Sequence, residues 1–202
     1  MPRTTPKHTR IPAEDAFFGY YPGTVAVVTS HHDGARNVMS AGWHTALSAD
    51  PPLYGVAIAP ERHSHGLITA SGTFAVHFLP HHRADAIASA GLLTGRDVAD
   101  KLHAAKLDWI EGDHGLPILH DAYLAYVCRL ETRVPTGDHE FLIGHVETLH
   151  VDEAAYDARV LDPSHTHAAI YYGRSRYEAL GYGPITTVDP DAVRHEPEED
   201  AS

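Results

Sequence analysis

Runs of β-branched and apolar residues in the first half of the chain predict strands. Residues 24–30 form such a run between Pro22-Gly23 and Asp33-Gly34, which is typical of a strand that enters a tight hairpin. The return strand is then expected over about 35–40. Similar runs at 53–59 and 74–79 each end at a proline, because proline cannot donate to a strand ladder.

Helix signals lie between and after these strands. Residues 65–71 predict a short helix closed by Gly72, the alanine-rich segment 83–90 predicts another stopped by Gly91, and 98–105 predicts a third. Two longer strand-like runs follow, at 123–134 and 140–151. Their mirrored pattern across the turn at 135–138 predicts a long antiparallel hairpin.

Six or more antiparallel strands with inserted helices predict a mainly β fold, a closed barrel with appended helices. The chain has neither a Gly-x-Gly-x-x-Gly motif nor a Walker loop, so the usual nucleotide-binding folds lose support. With 202 residues, 43% of them hydrophobic, one domain is expected. We place it at 15–188, between an N-terminal arm at 1–14 and an acidic tail at 189–202 that is expected to be disordered.

Composition narrows the classes of function. The formal net charge of −12 argues against a nucleic-acid binder, which must neutralise phosphates with a basic face. No apolar run approaches the roughly 20 residues of a membrane span, and the first residues lack the apolar core of a signal peptide, so we expect a soluble, cytoplasmic protein. The lone Cys128 lies in a β-rich stretch and is expected to be a buried, inert thiol.

Eighteen histidines make a metal protein an obvious hypothesis. The close pairs, such as His31-His32 and His81-His82, do not form a recognised ligand pattern, because adjacent strand residues point to opposite faces. The helical i, i+4 pair of a zinc protease is absent, and one cysteine excludes cysteine-rich zinc sites. We therefore assign no metal ligand. Most of these histidines are expected at the solvated surface.

The first candidate site is a stretch of small residues before the Asp50-Pro-Pro break. Glycine and alanine remove side-chain bulk there, so the backbone can approach a flat ligand closely. A loop of this kind can hold an aromatic ring system. The candidate residues are Asn37, Met39, Ser40, Ala41, Gly42 and Trp43.

A second candidate lies at residues 61–65, just before the first predicted helix. An anion there would meet the guanidinium of Arg62, the hydroxyl of Ser64 and the free amides of the helix N-terminus. The segment is equally typical of a helix whose N-cap is Ser64 beside a solvated arginine. Its place one strand after the small-residue loop favours a site for a ring that carries a phosphate.

A third candidate is the turn that opens the last long strand. His139 would project from Gly137-Asp138 at the mouth of the barrel, where Asp138 or Glu140 could orient or charge it. By itself, the same pattern is more typical of a hairpin turn in which the histidine is incidental.

In order and spacing, these segments resemble the flavin reductase-like family of FMN-binding split barrels, and most closely its flavoredoxin-like and short-chain reductase branch. The resemblance covers about three quarters of the chain. The matching segments are 21–28, 37–43, 49–53, 61–65, 72–76, 97–102, 137–139 and 172–177. It implies an antiparallel split β-barrel of Greek-key type.

The resemblance also implies site residues. The 39–43 loop would hydrogen-bond the edge of the flavin ring, Ala57 would line the ring pocket, and His139 would lie near a nicotinamide. His77 stands where asparagine is common and could alter a hydrogen bond beside the flavin, whereas Leu102 replaces a common phenylalanine as a packing change. The remaining expected contacts are Arg62, His63, Ser64 and His65 on the FMN phosphate, and Tyr172 and Arg174 in a segment that closes over the flavin.

By this resemblance the chain is an NAD(P)H-dependent FMN reductase that transfers hydride from NADH or NADPH to flavin N5. Such a protein would form a homodimer and pass electrons to a downstream monooxygenase or another acceptor. The main alternative is an FMN-binding electron-transfer protein without a nicotinamide site of its own. A third hypothesis is a histidine-rich metal-binding module without flavin. The choice between NADH and NADPH, the acceptor, and how tightly FMN is held stay open.

Overall fold

A computed structural model describes residues 22–181 and Ala13. Most of the predicted N-terminal arm and the whole predicted tail at 189–202 lie outside the described residues. Within the described part, the strands are β1 Gly23–Thr24, β2 Ala26–His32, β3 Ala35–Ala41, β4 His44–Ala49, β5 Pro52–Ile58, β6 Thr73–Phe78, β7 Trp109–Glu111, β8 Pro117–Leu119, β9 Leu124–Thr136, β10 His139–Val151, β11 Tyr156–Asp157, β12 Val160–Leu161, β13 Ala169–Gly173 and β14 Arg176–Ala179. The α-helices there are α1 His63–Ser71, α2 Ala84–Leu92 and α3 Lys101–Ala104.

Seven antiparallel strands form the main sheet, in the order β3-β2-β6-β9-β10-β5-β4. Its two edge strands, β3 and β4, are joined through only Gly42 and Trp43. A sheet of this width can bring its edges that close only by curling into a barrel. The barrel splits at this corner, since no ladder joins β3 to β4 in the part of the chain that the structure describes. The predicted mainly β, split-barrel fold is confirmed, whereas the closed barrel expected from the strand pattern alone is wrong, because the ladder is open at this corner.

Two apolar layers explain why the early strands read as continuous hydrophobic runs. Val28, Phe74 and Leu142 fill the barrel interior and are fully buried. On the outer face of β2, Val27 packs in a second cluster with Ile87 of α2. Because both faces of this strand are covered, residues 25–29 form a run of apolar and β-branched residues that does not alternate.

The predicted hairpins are confirmed with small shifts. Asp33 and Gly34 both have positive φ, as a two-residue type I′ turn requires, and they join β2 to β3. The long hairpin pairs β9 with β10 from the Thr136–His139 end to Leu124–Val151, with two register shifts. Its turn is Gly137-Asp138, so β9 extends through Pro135.

The helix boundaries differ from the predictions. Helix α1 begins at His63, with Arg62 as N-cap, so Ser64 lies in the first turn and is not the cap. Helix α2 passes through Gly91, which lies beside Ser40, and ends one residue later at Leu92. Helix α3 is one short turn that begins at Lys101, where the Asp100 side chain accepts a hydrogen bond from the amide of His103 and caps the N-terminus.

The return strand expected over about 35–40 runs from Ala35 to Ala41, so the loop expected at 39–43 is reduced to Gly42 and Trp43 before a new strand begins at His44. Strand β4 was not predicted, because its residues show no apolar alternation. Cys128 is fully buried, as expected, and burial raises the pKa of its thiol to about 12. No helix in the described ranges has the length and apolar character needed to cross a membrane.

Candidate functional site

A cavity of about 900 Å³ opens beside the corner between β3 and β4. This size is within the range of small-molecule and cofactor sites. The structure brings most of the sequence-predicted site residues together around it. Those that line it are Asn37, Met39, Ser40, Ala41, Gly42, Trp43, Ala57, Arg62, His63, Ser64 and His139.

The unpaired edge of β3 forms one wall of the cavity. The type I′ turn makes His32 and Ala35 a hydrogen-bonded pair. In an antiparallel ladder, hydrogen-bonded and non-hydrogen-bonded pairs alternate, so the amides of Met39 and Ala41 bond to β2. The amide of Ser40 therefore points to the open edge. The proton of its hydroxyl is not available to a ligand, because the hydroxyl donates to the carbonyl of Ile87 in α2.

The corner between β3 and β4 carries an aromatic residue at the cavity mouth. The carbonyl of Trp43 accepts a 2.9 Å hydrogen bond from the amide of Ala57, which holds the corner against β5. The indole is 40% exposed, and its ring centroid is 4.9 Å from that of His139. The small-residue stretch and the Gly137-Asp-His turn, almost a hundred residues apart in sequence, thus meet across the mouth.

Asp138 orients the imidazole of His139. Its Oδ1 lies 2.7 Å from Nδ1 of the ring. This hydrogen bond is the main reason that the pKa of Asp138 is lowered, and the attraction of the imidazole adds to it. Since Asp138 is almost fully exposed, the interaction sets the orientation of the ring more than it adds stability.

The opposite end of the cavity is polar and is built on the start of α1. The side-chain amide of Asn37 donates a 2.7 Å hydrogen bond to the Ser64 hydroxyl, which leaves the hydroxyl proton free to donate to a ligand. The Oδ1 of Asn37 is buried without a hydrogen-bond partner in the described structure. Arg62 lies beside this pair, at the N-cap of the helix.

Lys101 was not predicted as a site residue, yet it lines the same end of the cavity and is only 4% exposed. Burial, and then repulsion from Arg62, lowers the pKa of its ammonium group to about 8. Within the described residues neither Lys101 nor Arg62 has a carboxylate within salt-bridge distance. Two adjacent cations without a counter-ion are typical of an anion site. The sequence signal for this lysine is its place in the matching segment 97–102.

Two further contributions to the polar end come from the segment after α2. Arg96 lines the cavity, and its Nη2 donates a 2.7 Å hydrogen bond to the carbonyl of Glu61. Gly95 approaches so closely that a Cβ there would lie 2.4 Å from Oδ1 of Asn37. Only glycine fits at this position without displacing the polar side chains. A loop glycine of this kind has no periodic sequence signal.

Four of the predicted site residues do not line the cavity. His65 pairs with Glu140 at 2.7 Å, and His77 is fully buried with its Nδ1 3.0 Å from the carbonyl of Val27. Tyr172 donates its hydroxyl to Glu178, and Arg174 is exposed in the tight turn after β13. Tyr171 lines the cavity where Tyr172 was expected, because neighbouring strand residues face opposite sides.

Sequence reasoning also missed His44 and Thr24 at the cavity wall. The Nε2 of His44 lies 3.1 Å from the carbonyl of Thr24, and its Nδ1 lies 2.6 Å from the hydroxyl of Tyr54. A carbonyl can only accept, so Nε2 carries the proton and Nδ1 accepts from the tyrosine. Burial lowers the pKa of His44, which agrees with this neutral ring.

The fold and this cavity define the class of protein. The family model "Flavin reductase like domain" matches residues 18–181, and the chain belongs to that family.

Among proteins of this kind, the chain is 33% identical over 140 residues to an NADH-dependent FMN reductase of Streptomyces nodosus subsp. asukaensis, covering 68% of this chain and 73% of that one. It spans 50%, 40% and 54% of the first three curated relatives that it matches, about half of their length.

Two solved structures show the same fold. An FMN-binding protein from Thermus thermophilus superposes with a TM-score of 0.77 at 31% identity, covering 92% of this chain and 100% of that one. A flavoredoxin from Methanosarcina acetivorans superposes with a TM-score of 0.79, covering 94% and 100% of the two chains. At 18% identity, the second likeness supports the fold alone.

Proposed function

We propose that this chain binds FMN and reduces it with NADH or NADPH, as a flavin reductase. The observation that supports this most is the polarity of the large cavity. One end carries Arg62 and Lys101 without counter-ions, and the other is lined by small residues beside Trp43 and His139. A flat ring that carries a phosphate matches this division, because its charge is at one end and its ring is at the other.

The residues present fit FMN by the chemistry of their donors. Arg62, Lys101 and the free proton of Ser64 would hold the phosphate through charge-assisted hydrogen bonds. The amide of Ser40, on the open edge of β3, would stabilise negative charge on the ring edge, as an oxyanion site does. When bound, FMN supplies the ring that accepts a hydride from the nicotinamide. The protein's part is to bind, orient and shield the two ligands.

The absorbance spectrum of the purified protein, titrated with FMN and then with NADH or NADPH, tests the proposal. We expect a bound flavin spectrum that bleaches without oxygen when a nicotinamide is added, and steady oxidation of that nicotinamide when FMN is supplied in excess. Protein that neither binds FMN nor oxidises NAD(P)H in its presence would contradict the proposal. Comparing the two nicotinamides gives the preference between them.

One observation favours an electron carrier without a nicotinamide site. Trp43 and His139 are in contact at the cavity mouth, with no room for another ring between them. Stopped-flow mixing of the FMN-loaded protein with NADH and NADPH separates the two functions. A reductase is reduced at a rate that rises with nicotinamide concentration, whereas a carrier is reduced only by a donor protein. For a reductase, the electron acceptor is free flavin, a partner monooxygenase or another protein.

Replacing His139 by alanine tests its proposed contact with the nicotinamide. We expect the KM for the preferred nicotinamide to rise roughly tenfold, because one hydrogen-bonding and stacking contact is lost. The Kd of FMN should stay within about twofold. His103→Ala is the matched control, since this exposed histidine lies outside the cavity. An unchanged KM in the His139 variant would remove that residue from the nicotinamide site.

We also propose that the chain forms a homodimer through the outer face of β4, β5 and β10. Leu47 and the ring of Phe141 both lie over Gly55, where a Cβ would be 2.2 Å from the ring. On the neighbouring strand β9, Val134 pairs with Phe141 of β10. Leu47 and Val134 are 41% and 43% exposed, so this apolar patch is open to solvent. A contiguous apolar patch on a sheet face is typical of an interface between copies.

A glutamate in this patch tests the dimer. The substitution Leu47→Glu would bury a charge at the interface, and we expect it to shift the protein from dimer to monomer in size-exclusion chromatography with light scattering. The control is Val160→Glu, at an apolar residue that is 69% exposed in a separate hairpin. A wild-type monomer, or an unchanged dimer in the Leu47 variant, would contradict this interface.

A further inference from the structure

A second cavity, of about 590 Å³, shares no lining residue with the first. Its walls come from the turn after β6, the loop before β9, the residue after β10 and the loop before β13. Five imidazoles face it, which is more than a quarter of the 18 histidines in the chain. We name it the histidine cavity, after His81, His82, His120, His165 and His167.

The negative groups at the histidine cavity are few and are already engaged. Asp121 is 3.0 Å from the guanidinium of Arg83 and 3.5 Å from His120. Asp152 accepts a hydrogen bond from the amide of Ala154, and Asp162 lies 2.9 Å from His165. Hydrogen bonds from Ser164, and then from His165, lower the pKa of Asp162 to about 2, so that this carboxylate stays ionised at any working pH.

The charge of the histidine cavity therefore changes sign with pH. When these histidines are neutral, the carboxylates of Asp121, Asp152 and the nearby Asp162 outnumber the guanidinium of Arg83, and the site is negative. When all five imidazoles are protonated, they join Arg83 and positive charge exceeds negative by about three. Tyr123 adds no charge, since burial raises its pKa well above the usual range.

Two of the imidazoles are available to a ligand. His81 and His82 make no side-chain hydrogen bond or ion pair within the described part of the chain. They lie side by side in a single turn of 3-10 helix, opposite the loop of His165 and His167. Once protonated, they would present donors without competing acceptors of their own.

A metal ion is a poorer match for the same residues. Coordination requires at least three lone pairs that converge on one point. Across residues 22–181, no group of three or more histidine, cysteine, aspartate or glutamate side chains is placed to hold a metal. An anion makes no such demand, because several imidazolium donors can bind different oxygens of a larger molecule.

We propose that the histidine cavity binds a small polyanion, one that carries phosphate or clustered carboxylate oxygens, when its histidines are protonated. The volume of about 590 Å³ admits an organic acid or a phosphorylated metabolite of modest size. Binding takes up protons, so affinity rises as pH falls through the histidine range. This site is independent of the flavin cavity and of its proposed activity.

Isothermal titration of tartrate and of sulfate at pH 5.5 and 7.5, at constant ionic strength, tests the proposal, since both probes keep the charge of a dianion at the two pH values. Sulfate stands for the phosphate oxygens and tartrate for clustered carboxylates, and we expect the Kd of the better probe to be at least tenfold lower at pH 5.5 than at pH 7.5. The stronger probe identifies which kind of oxygen the site prefers. Absence of binding of both at pH 5.5, or equal affinity at the two pH values, would overturn the proposal.

Two pairs of variants locate the binding. At pH 5.5 we expect the double substitution His81→Gln with His82→Gln to weaken binding roughly tenfold. The control pair, His32→Gln with His103→Gln, removes the same charge elsewhere and should leave the Kd within about twofold. His165→Gln serves as a second test if the first pair lowers the melting temperature. An anion that binds beside Arg62 and Lys101 would give a separate binding event, which the pair Arg62→Gln with Lys101→Gln removes. The event that is weakened by the His81 and His82 substitutions should persist in this pair, and its loss there would instead assign the anion to the flavin cavity.

Discussion

Replacing both Arg62 and Lys101 by glutamine is expected to weaken FMN binding by roughly a hundredfold to a thousandfold. Each charge-assisted hydrogen bond to a phosphate contributes about 1.5–3 kcal/mol, and the two cations have no other counter-ion in the described structure. The sum is reduced somewhat, because the variant also removes the repulsion between the two cations. Quenching of FMN fluorescence on titration with protein measures the Kd.

Riboflavin provides the control, since it has the same ring without the phosphate. Its affinity for the double variant should stay within about threefold of the wild-type value, because the ring end of the cavity is unchanged. Arg176→Gln, at an exposed arginine of β14 outside the cavity, should leave both affinities unchanged. If riboflavin and FMN lose affinity equally, the two cations do not bind the phosphate.

The affinity for FMN should fall as the pH rises through about 8. The pKa of Lys101 is lowered to about 8, below the ordinary value for lysine, so the ammonium is charged at pH 7 and mostly neutral at pH 9.5. At pH 9.5 only about one molecule in thirty keeps the charge, and we expect a roughly tenfold to thirtyfold rise in Kd between these two pH values. The phosphate is a dianion throughout this range, so its own titration does not contribute.

Lys101→Arg is the variant that isolates this effect. A guanidinium stays charged over the whole range, so the pH profile of FMN affinity should become flat between pH 7 and 9.5. Riboflavin affinity, measured in parallel, corrects for any ionisation of the ring. A wild-type profile without a decline near pH 8, or an arginine variant with the same decline, would show that Lys101 does not carry the pH dependence.

The fold was largely predictable because most of its strands can be recognised from local sequence patterns. The β-branched run before Asp33-Gly34 and the mirrored long hairpin each carry their own turn, so pattern and pairing coincide. Strand β4 was missed for the opposite reason: it lies at a sheet edge and is mostly exposed, and nothing selects an apolar alternation there. The end of α2 was misplaced because Gly91 continues the helix, and the start of α3 was misplaced because Asp100 caps it through the amide of His103.

The candidate site was predictable in part. Arg62, Ser64, Trp43 and His139 belong to segments with distinctive sequences, and the structure gathers them around one cavity. His77 and Tyr172 belong to equally distinctive segments but face away from it, because the direction of a strand side chain depends on register. Lys101 also belongs to a matching segment, and it does line the cavity. Only the tertiary structure shows that no described carboxylate lies within salt-bridge distance of it.

By itself, the sequence determined the class of fold, the family and the order of the segments that can hold a flavin. Local propensities and turn residues act over a few positions, and they can be read along the chain. The tertiary structure alone decided which side chains face the cavity, which hydroxyl is already engaged and which cations stand without a partner. Those properties depend on groups that are distant in sequence, as when Ser40 bonds to Ile87 or Lys101 lies beside Arg62. The histidine cavity is the same case, since only folding brings its five imidazoles together from three separate segments.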